Sequence, residues 1–396
     1  MNNKPEALIY RALDTFSIEL PSWGFANTGT RFGKFIQVAA AITVEDKFSD
    51  AGQVHALTGT CPTVALHSLW DFPNGLEDVA HVQRWAEKYG VRPGSINPNV
   101  FQDQEYKYGS LGNPDAATRK RALDHILECV AVADSLKSRD ISLWFADGSN
   151  YPGTQSIRNR IEWFEEALRR VHASLNPKQR LLIEYKPFEP AFYHTDIADW
   201  GMALLLARNS GPRAYVLVDT GHHYQAQNIE QIVAWLLYHQ AIGGFHFNDR
   251  RYADDDLTVG SIDPYQIFRI FHEIHSYAWE TGGSPDVAYM VDQSHNLKGK
   301  MEAMIQTVCT AQELYAKAAI VDHAHLASLQ RTCSLVEAEE CLRYAFWYDV
   351  RPALREWRRS RGLPEEPIQA FRESGYLERI TAERRDRNAS VVTTYA

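Results

Sequence analysis

Four short segments between residues 183 and 296 each combine an apolar run with acidic or histidine residues at its end. They read IEYKPFEP (183–190), VDTGHHY (218–224), FHFNDRRYADDDL (245–257) and MVDQSHN (290–296). Carboxylates and imidazoles are the side chains that bind divalent cations. Those in the four segments are Glu184, Asp219, His222, His246, Asp254, Asp256 and Asp292, and they are accompanied by Lys186. We expect the segments to form one site for two divalent cations.

The composition of this set favours a hard cation. Three carboxylates and one imidazole that converge in one site repel one another unless a cation lies among them. Oxygen-rich ligands with one imidazole suit Mn²⁺, Mg²⁺ or Co²⁺ better than a metal that prefers thiolates. Asp219 can be shared with a second cation, because His222 follows it by three residues and the D-x-D of residues 254–256 places two carboxylates on one side of an extended segment. We expect Mn²⁺ first, with Co²⁺, Mg²⁺ and Zn²⁺ as alternatives.

Eight apolar runs, which alternate with helical patterns, must position these residues. Apolar runs without polar alternation are typical of strands that are buried on both faces of a parallel sheet. The runs cover residues 21–32, 63–71, 93–101, 141–148, 180–187, 214–221, 241–249 and 286–293. They predict an α/β fold, a (β/α)8 TIM barrel in residues 1–320, with the metal residues at the carboxyl ends of strands five to eight. A doubly wound sheet is the alternative, but no G-x-G-x-x-G opens a helix.

Several helix boundaries are predicted from capping residues. Asn228 precedes the clearest apolar helical stripe, and Asp263 precedes a proline at a predicted first turn. Thr195 can cap the helix after the fifth strand, and S-L-V-E from Ser334 fits a capping box. Residues 321–396 are predicted to be a helical, aromatic-rich extension. It packs either on the barrel or across a neighbouring subunit.

The bulk properties exclude several classes of protein. The 396-residue chain has a net charge of −9 and scattered basic residues, whereas a nucleic-acid-binding protein needs a basic face. No segment approaches the roughly 20 apolar residues of a membrane-spanning helix, and the first residues lack the apolar run of a signal peptide. The five cysteines are scattered and odd in number, which suits a reducing compartment. We therefore expect a cytoplasmic protein.

The ordered set of motifs resembles the L-rhamnose isomerases, in particular their broad-specificity bacterial branch within the xylose-isomerase-like barrels. The motifs are E-Y-K, D-x-x-H, H-x-N-D, D-x-D and M-V-D-Q-S-H-N, with W-G-F-A-N-T-G-T-R-F near the start and L-H-S-L-W-D after the second strand. Each motif alone is weak, and their order and spacing carry the resemblance. It implies a homotetrameric, metal-dependent enzyme that interconverts L-rhamnose and L-rhamnulose, and other aldoses as well.

The resemblance also implies a role for each matching residue. The first cation is then bound by Glu184, Asp219, His246 and Asp292. The second is bound by Asp219 as a bridge, together with His222, Asp254 and Asp256. Lys186 contacts the terminal oxygens of the sugar, His67 assists ring opening, and Asp292 is expected to take part in catalysis. An apolar wall of the pocket is formed by Trp70, Trp144, Phe101 and Phe25.

Two cations beside one lysine favour aldose–ketose isomerisation by a hydride shift between C1 and C2. The carboxylates that could act as a base on carbon are already used as metal ligands. The sugar is expected to be neutral, because the acidic loop of residues 254–256 would repel a phosphate. The alternatives are a ketose C3 epimerase on the same barrel, a metal-dependent barrel hydrolase and a non-catalytic sugar-binding barrel. An epimerase would need two glutamates, and a hydrolase would need more histidines and a basic groove.

Overall fold

Eight parallel strands form the centre of the structure, in chain order, within the part of the chain that the structure describes. This computed structural model describes residues 4–27, 35–149, 151–189, 193–250, 256–294 and 297–389. The strands are β1 (Leu20–Pro21), β2 (Thr63–His67), β3 (Arg92–Asn97), β4 (Asp140–Leu143), β5 (Arg180–Glu184), β6 (Ala214–Asp219), β7 (Ile242–Phe247) and β8 (Ala288–Val291).

A parallel bridge between Glu19 and Met290 joins the first strand to the last. The Glu19 amide donates to the Tyr289 carbonyl at 2.8 Å, and the Val291 amide donates to the Glu19 carbonyl at 2.9 Å. The sheet thereby closes into a barrel, and the predicted (β/α)8 architecture is confirmed. A short antiparallel pair of two-residue strands, Phe188–Glu189 and Tyr193–His194, lies beyond the end of β5.

Helices follow the strands and surround the barrel. The helices up to the end of the barrel are α1 (Pro5–Thr15), α2 (Val44–Thr58), α3 (Ser68–Asp71), α4 (Val79–Lys88), α5 (Ala116–Leu136), α6 (Ile157–Ser174), α7 (Trp200–Ser210), α8 (Ile229–Tyr238), α9 (Pro264–Thr281) and α10 (Lys300–Ala319). The predicted caps of α8 and α9 are confirmed, because Asn228 Oδ1 accepts from the Gln231 amide at 2.8 Å and Asp263 Oδ1 accepts from the Gln266 amide at 2.9 Å. None of the helices in the described ranges is both long and apolar enough to cross a bilayer.

Three local predictions are wrong. The first strand is only two residues long and is followed by a 3-10 turn, Ser22–Phe25; residues 28–34 of its predicted range lie outside the described residues. Thr195 does not cap α7, because its hydroxyl donates to the Lys186 carbonyl and Asp199 caps that helix instead. Ser334 forms no side-chain cap, since its hydroxyl pairs with that of Thr332 at 3.0 Å.

Five further helices follow the barrel: α11 (His323–Arg331), α12 (Leu335–Trp347), α13 (Arg351–Ser360), α14 (Pro367–Glu373) and α15 (Tyr376–Ala389). They pack on the barrel's own outer helices. Trp357 Nε1 donates to Asp14 of α1 at 2.9 Å, and Arg384 forms a buried ion pair with Asp50 of α2 at 2.8 Å. The Phe346 ring lies 4.9 Å from that of Tyr265 on α9. A contact of this extension with a neighbouring subunit stays a prediction.

Candidate metal centre

Four of the predicted metal ligands lie together at the carboxyl ends of consecutive strands. Glu184 ends β5, Asp219 ends β6, His246 lies near the end of β7, and Asp292 follows β8 directly. The register pairs Asp219 with His246 on the neighbouring strand. One ligand atom from each of the four residues lies within 4.8 Å of the others. The structure thus forms the predicted convergence from four separate segments.

An apolar layer lies beneath this group inside the barrel. The residues two positions before the ligands are Leu182, Leu217, Gly244 and Met290, and the three with side chains form a buried cluster of their own. Because side chains in a strand alternate between its two faces, each of these residues points to the same side as the ligand above it. A Cβ at Gly244 would contact Met290 Cε at 3.2 Å and Leu182 Cδ1 at 3.3 Å. Glycine at position 244 therefore allows Leu182 and Met290 to pack closely beneath the polar group.

Within the group, His246 faces all three carboxylates. Its Nδ1 lies 3.2 Å from Glu184 Oε2, 3.5 Å from Asp292 Oδ2 and 4.0 Å from Asp219 Oδ2. Burial raises the pKa of the Asp219 carboxyl to about 7, an effect that the neighbouring Glu184 and Asp292 carboxylates reinforce. Burial alone would lower the pKa of His246, but the surrounding carboxylates raise it to about 9. The metal-free site therefore holds protons that a divalent cation can displace.

The donor set fits a hard divalent cation. Glu184, Asp219 and Asp292 offer carboxylate oxygens and His246 offers one imidazole nitrogen, the combination that suits Mn²⁺ or Mg²⁺. The carboxylates of Glu184 and Asp219 are almost completely buried, and burying such charges together is costly without a compensating cation. The residues present therefore fit the metal that the sequence predicts, without fixing which metal or how many ions bind.

The second predicted ligand set is only partly placed. His222 lies beside the first group, with Nδ1 3.1 Å from Glu184 Oε1 and Nε2 3.9 Å from Asp219 Oδ2. Asp256 is half-buried with a left-handed backbone (φ 49°), and it is not a member of the four-residue group. Asp254 lies outside the described residues. The second cation therefore stays a prediction.

Two neighbours that sequence reasoning missed orient the ligands. Asn248 Nδ2 donates to Asp219 Oδ1 at 3.0 Å, and Trp23 Nε1 donates to Asp292 Oδ1 at 2.8 Å. Asn248 stands two residues after His246, at the same strand end, so a polar amide at that position was an available signal. Trp23 follows the first strand and opens the W-G-F-A-N-T-G-T-R-F motif, but the motif alone assigned it no role.

Aromatic side chains line the opposite side of the site. The His67 ring stacks on Trp70 with centroids 4.0 Å apart, and Phe101 lies edge-on to His67 at 5.7 Å and to Trp144 at 4.6 Å. Lys186 Nζ lies 5.4 Å from the Trp144 ring centroid. The structure thus places Lys186 and His67 on either side of one aromatic series. Phe25, in contrast, is fully buried in the hydrophobic core.

His67 has a buried ring nitrogen, and burial favours its neutral form. Its Nδ1 accepts a hydrogen bond from the Leu69 amide at 3.4 Å, which assigns the ring proton to Nε2. Within the described part of the chain Nε2 has no hydrogen-bond partner, although it is buried. Burial lowers the pKa of His67 to about 3. A buried N–H of this kind can be satisfied by a water molecule or by a ligand.

Comparison with known proteins agrees with this geometry. The model of the xylose isomerase-like TIM barrel family matches residues 63–326. A probable sugar isomerase of Rhizobium meliloti (strain 1021) is 38% identical over 374 residues, which cover 93% of this chain and 86% of that protein. A probable sugar isomerase of Mesorhizobium japonicum (strain LMG 29417 / CECT 9101 / MAFF 303099) is 37% identical over 377 residues, covering 94% and 87%.

A solved structure of an L-ribulose 3-epimerase is similar to the whole barrel. It has a TM-score of 0.54 and 12% sequence identity, and the match covers 81% of this chain and 98% of that one. At this identity the likeness shows the fold alone. The family match spans most of the chain, including all four ligands of the compact group. The chain therefore belongs to the xylose isomerase-like TIM barrel family.

Proposed function

We propose that the protein is a metal-dependent aldose–ketose isomerase that interconverts L-rhamnose and L-rhamnulose, and other aldoses as well. The observation that carries this proposal is the buried group of Glu184, Asp219, His246 and Asp292 at the mouth of the barrel. The names of the two bacterial relatives, both probable sugar isomerases, support the reaction class. The choice of L-rhamnose rests on the motif resemblance. We also propose Mn²⁺ as the cofactor and a homotetramer as the assembly.

The metal ligands and the lysine have separate roles in this proposal. Divalent cations, when bound, polarise the sugar carbonyl and lower the pKa of the neighbouring hydroxyl. Glu184, Asp219, His246 and Asp292 hold the first ion, and the second is held by Asp219, His222, Asp254 and Asp256. Hydrogen then moves between C1 and C2 of the open-chain sugar without a protein base on carbon.

Lys186 neutralises the charge that builds on the sugar oxygen as the carbonyl is reduced. Its backbone is fixed at both polar groups: the amide donates to the Ile197 carbonyl at 3.0 Å, and its carbonyl accepts from the Thr195 hydroxyl. Its ammonium lies over the ring of Trp144, a member of the aromatic wall. The position of the Lys186 backbone is therefore fixed, and the ammonium can donate to a sugar oxygen from there.

His67 is proposed to donate a hydrogen bond from its Nε2–H to the ring oxygen during ring opening, and the neutral imidazole keeps its proton. The proton that the C1 hydroxyl loses reaches the ring oxygen through solvent. The stacked Trp70 and the edge of Phe101 keep the imidazole in a single orientation, and burial keeps it neutral. The aromatic wall of Trp70, Phe101 and Trp144 also suits a deoxy sugar, because a terminal methyl group gains from contact with apolar surface. Phe25 is proposed to support this wall from the core.

A ketose C3 epimerase is the second candidate, because the fold of this chain is one that an L-ribulose 3-epimerase also has. Such an enzyme removes a proton from one face of the sugar and returns it on the other, which requires two carboxyl groups on opposite faces. The compact group contains a single glutamate, and its three carboxylates all lie within 4.0 Å of one imidazole nitrogen. This arrangement favours the isomerase.

An assay with L-rhamnose separates the two reactions. The metal-free protein is loaded with Mn²⁺ and incubated with L-rhamnose, L-mannose, L-lyxose or D-allose, and in parallel with ketoses, and the products are identified by NMR. The isomerase yields L-rhamnulose from L-rhamnose and loses this activity with EDTA. C3-epimerised ketose without conversion of any aldose would assign the epimerase instead.

The Lys186→Met variant tests the role of the lysine within the same assay. We expect its turnover to fall by about 100-fold or more, because a charge that assists the transition state is lost. Metal content should stay full, since Lys186 is not a ligand of the compact group. Wild-type turnover in this variant would remove Lys186 from the mechanism.

A further inference from the structure

The turn that follows β1 contacts a proposed metal ligand that follows β8, at the place where the first and last strands of the barrel meet. Trp23, the second residue of the Ser22–Phe25 turn, donates from Nε1 to Asp292 Oδ1 at 2.8 Å. Asp292 is the least buried of the four grouped residues, with 22% of its side chain exposed against 3% or less for the other three. The ligand that packing constrains least is therefore the one that the indole holds.

The turn itself is fixed from the side of β2. The Ser22 hydroxyl donates to Asp71 Oδ2, and Asp71 also accepts from Lys47 Nζ at 2.6 Å and from the His67 amide at 2.8 Å. Asp71 and Lys47 are both almost fully buried. Because buried, charge-assisted hydrogen bonds are among the stronger ones, the residue before Trp23 has little freedom to move.

Gly24 shows that the turn is also fixed from the side of β8. A Cβ at this position would lie 2.8 Å from the Gln293 carbonyl oxygen and 2.8 Å from Met304 Cε. The turn therefore approaches the backbone next to Asp292 as closely as a glycine allows. Gln293 is held in turn by the Thr307 hydroxyl. Trp23 thus lies between two anchored neighbours and meets Asp292 in a defined place.

We propose that Trp23 is a positioning residue of the metal centre, whose indole N–H binds Asp292 Oδ1 and leaves Oδ2 for the cation. Oδ2 is the oxygen that faces the other ligands, 3.5 Å from His246 Nδ1. An indole offers one donor and no acceptor, so it can hold one carboxylate oxygen without competing for the ion. This role rests on the proposed metal-dependent function.

The Trp23→Phe variant tests the proposal, because it keeps an aromatic ring and removes the N–H. Mn²⁺ affinity is measured by calorimetry on the metal-free protein, and the visible spectrum of the Co²⁺-loaded protein reports ligand geometry. We expect the affinity to fall by about 10- to 100-fold, the range for loss of a group that orients a ligand. The Co²⁺ bands should shift as well, which the loss of an indole hydrogen bond elsewhere in the protein would not produce.

Trp357→Phe is the matched control. Trp357 also donates from its indole to an aspartate, Asp14 at 2.9 Å, but between α13 and α1. It should keep wild-type Mn²⁺ affinity and the wild-type Co²⁺ spectrum. Gly24→Ala is a second test, because it keeps the indole but displaces the turn from Gln293. The Mn²⁺ affinity of this variant should also fall.

The outcomes separate this proposal from the proposed function. Wild-type affinity and spectrum in folded Trp23→Phe overturn the positioning role alone. If Trp23→Phe does not fold by circular dichroism, Gly24→Ala decides, and wild-type affinity there overturns the proposal. Wild-type protein that binds no Mn²⁺ contradicts the metal-dependent function and, with it, this role.

Discussion

The two ends of strand β5 bury opposite charges in contrasting surroundings. Arg180 begins the strand and forms two hydrogen bonds with Asp140, from Nε at 2.7 Å and from Nη2 at 3.0 Å. Glu184 ends the strand beside Asp219 and Asp292, and its partners are the imidazoles of two histidines. Both ends of the strand are buried. The two ends differ in how the buried charge is compensated: a carboxylate pairs with Arg180, whereas Glu184 contacts two imidazoles.

This difference separates stability from function within one strand. At the amino end the protein supplies its own counter-charge in a bidentate geometry, as is typical of a structural ion pair. At the carboxyl end, no arginine or lysine ion pair within the described ranges involves Glu184, Asp219 or Asp292. An excess of buried carboxylate is costly, and the cost is relieved by bound protons in the metal-free protein or by a divalent cation that displaces them. In this fold the carboxyl ends of the strands carry function and the amino ends carry stability.

Asp219→Asn should produce the largest effect. The substitution keeps the shape of the side chain and removes the charge of a proposed metal ligand. Loss of an outer partner of a metal ligand typically costs 10- to 100-fold in affinity, so loss of a ligand charge should cost about 1,000-fold or more, or about 4 kcal/mol. Mn²⁺ affinity is measured by calorimetry, with the L-rhamnose assay alongside. Metal-free Asp219→Asn should unfold no earlier than the metal-free wild type, because a costly buried charge is gone.

Asp140→Asn makes the same chemical change at the other end of the barrel, and the opposite result is expected. Arg180 loses its charged partner in a buried position, which should lower the free energy of unfolding by about 2 kcal/mol. Asp286, 3.5 Å from Arg180, retains part of the pairing. Urea unfolding measures the loss. A fall in Mn²⁺ affinity equal to that of Asp219→Asn would remove the distinction between the two ends.

The pH dependence of the metal-free protein gives a smaller effect of definite sign. The pKa of His246 is raised to about 9 in the folded protein, above its ordinary value of 6.5. The stability gained from the bound proton is therefore complete below pH 6.5 and is lost as pH rises through about 9. The loss should approach about 1 kcal/mol per pH unit in that window.

Mn²⁺ provides the control for this dependence, since a cation takes the place of the protons. The stabilisation by Mn²⁺ should increase with pH over the same window, and binding should release on the order of one proton per ion near neutral pH. Calorimetry in buffers of different ionisation enthalpy measures the protons released. The His246→Gln variant should show a flatter dependence. Mn²⁺ binding without any proton release would contradict the raised pKa.

The local sequence pattern was enough to predict that the residues of the compact group lie together. Asp219 and His246 each follow an apolar run, and parallel strands end on one face of a barrel, so neither required knowledge of a distant contact. Trp23 could not be found in this way, because its partner Asp292 lies 269 residues later in the chain. The strand over residues 21–32 was over-predicted for the same reason. The aromatic residues in this range are typical of a strand. Instead, the Ser22 hydroxyl donates to Asp71, and Ser22 begins a 3-10 turn.

The capping residues also show that the local sequence alone does not decide which hydrogen bonds form. Asn228 and Asp263 cap their helices as predicted, because each side chain accepts from an amide of its own first turn. Thr195 has a suitable side chain, but the Lys186 carbonyl of the preceding strand end takes its hydroxyl. The local sequence contains the preference for a cap, and the three-dimensional neighbours decide whether it forms.

The most direct test of the account is anomalous diffraction from a crystal soaked in Mn²⁺. The account predicts an anomalous peak among Glu184, Asp219, His246 and Asp292, with ligand atoms at about 2.0–2.3 Å. The proposed second ion would add a peak beside Asp219 and His222. Bound Mn²⁺ elsewhere on the protein, with no peak in this group, would contradict the central claim that the carboxyl end of the barrel is a metal centre.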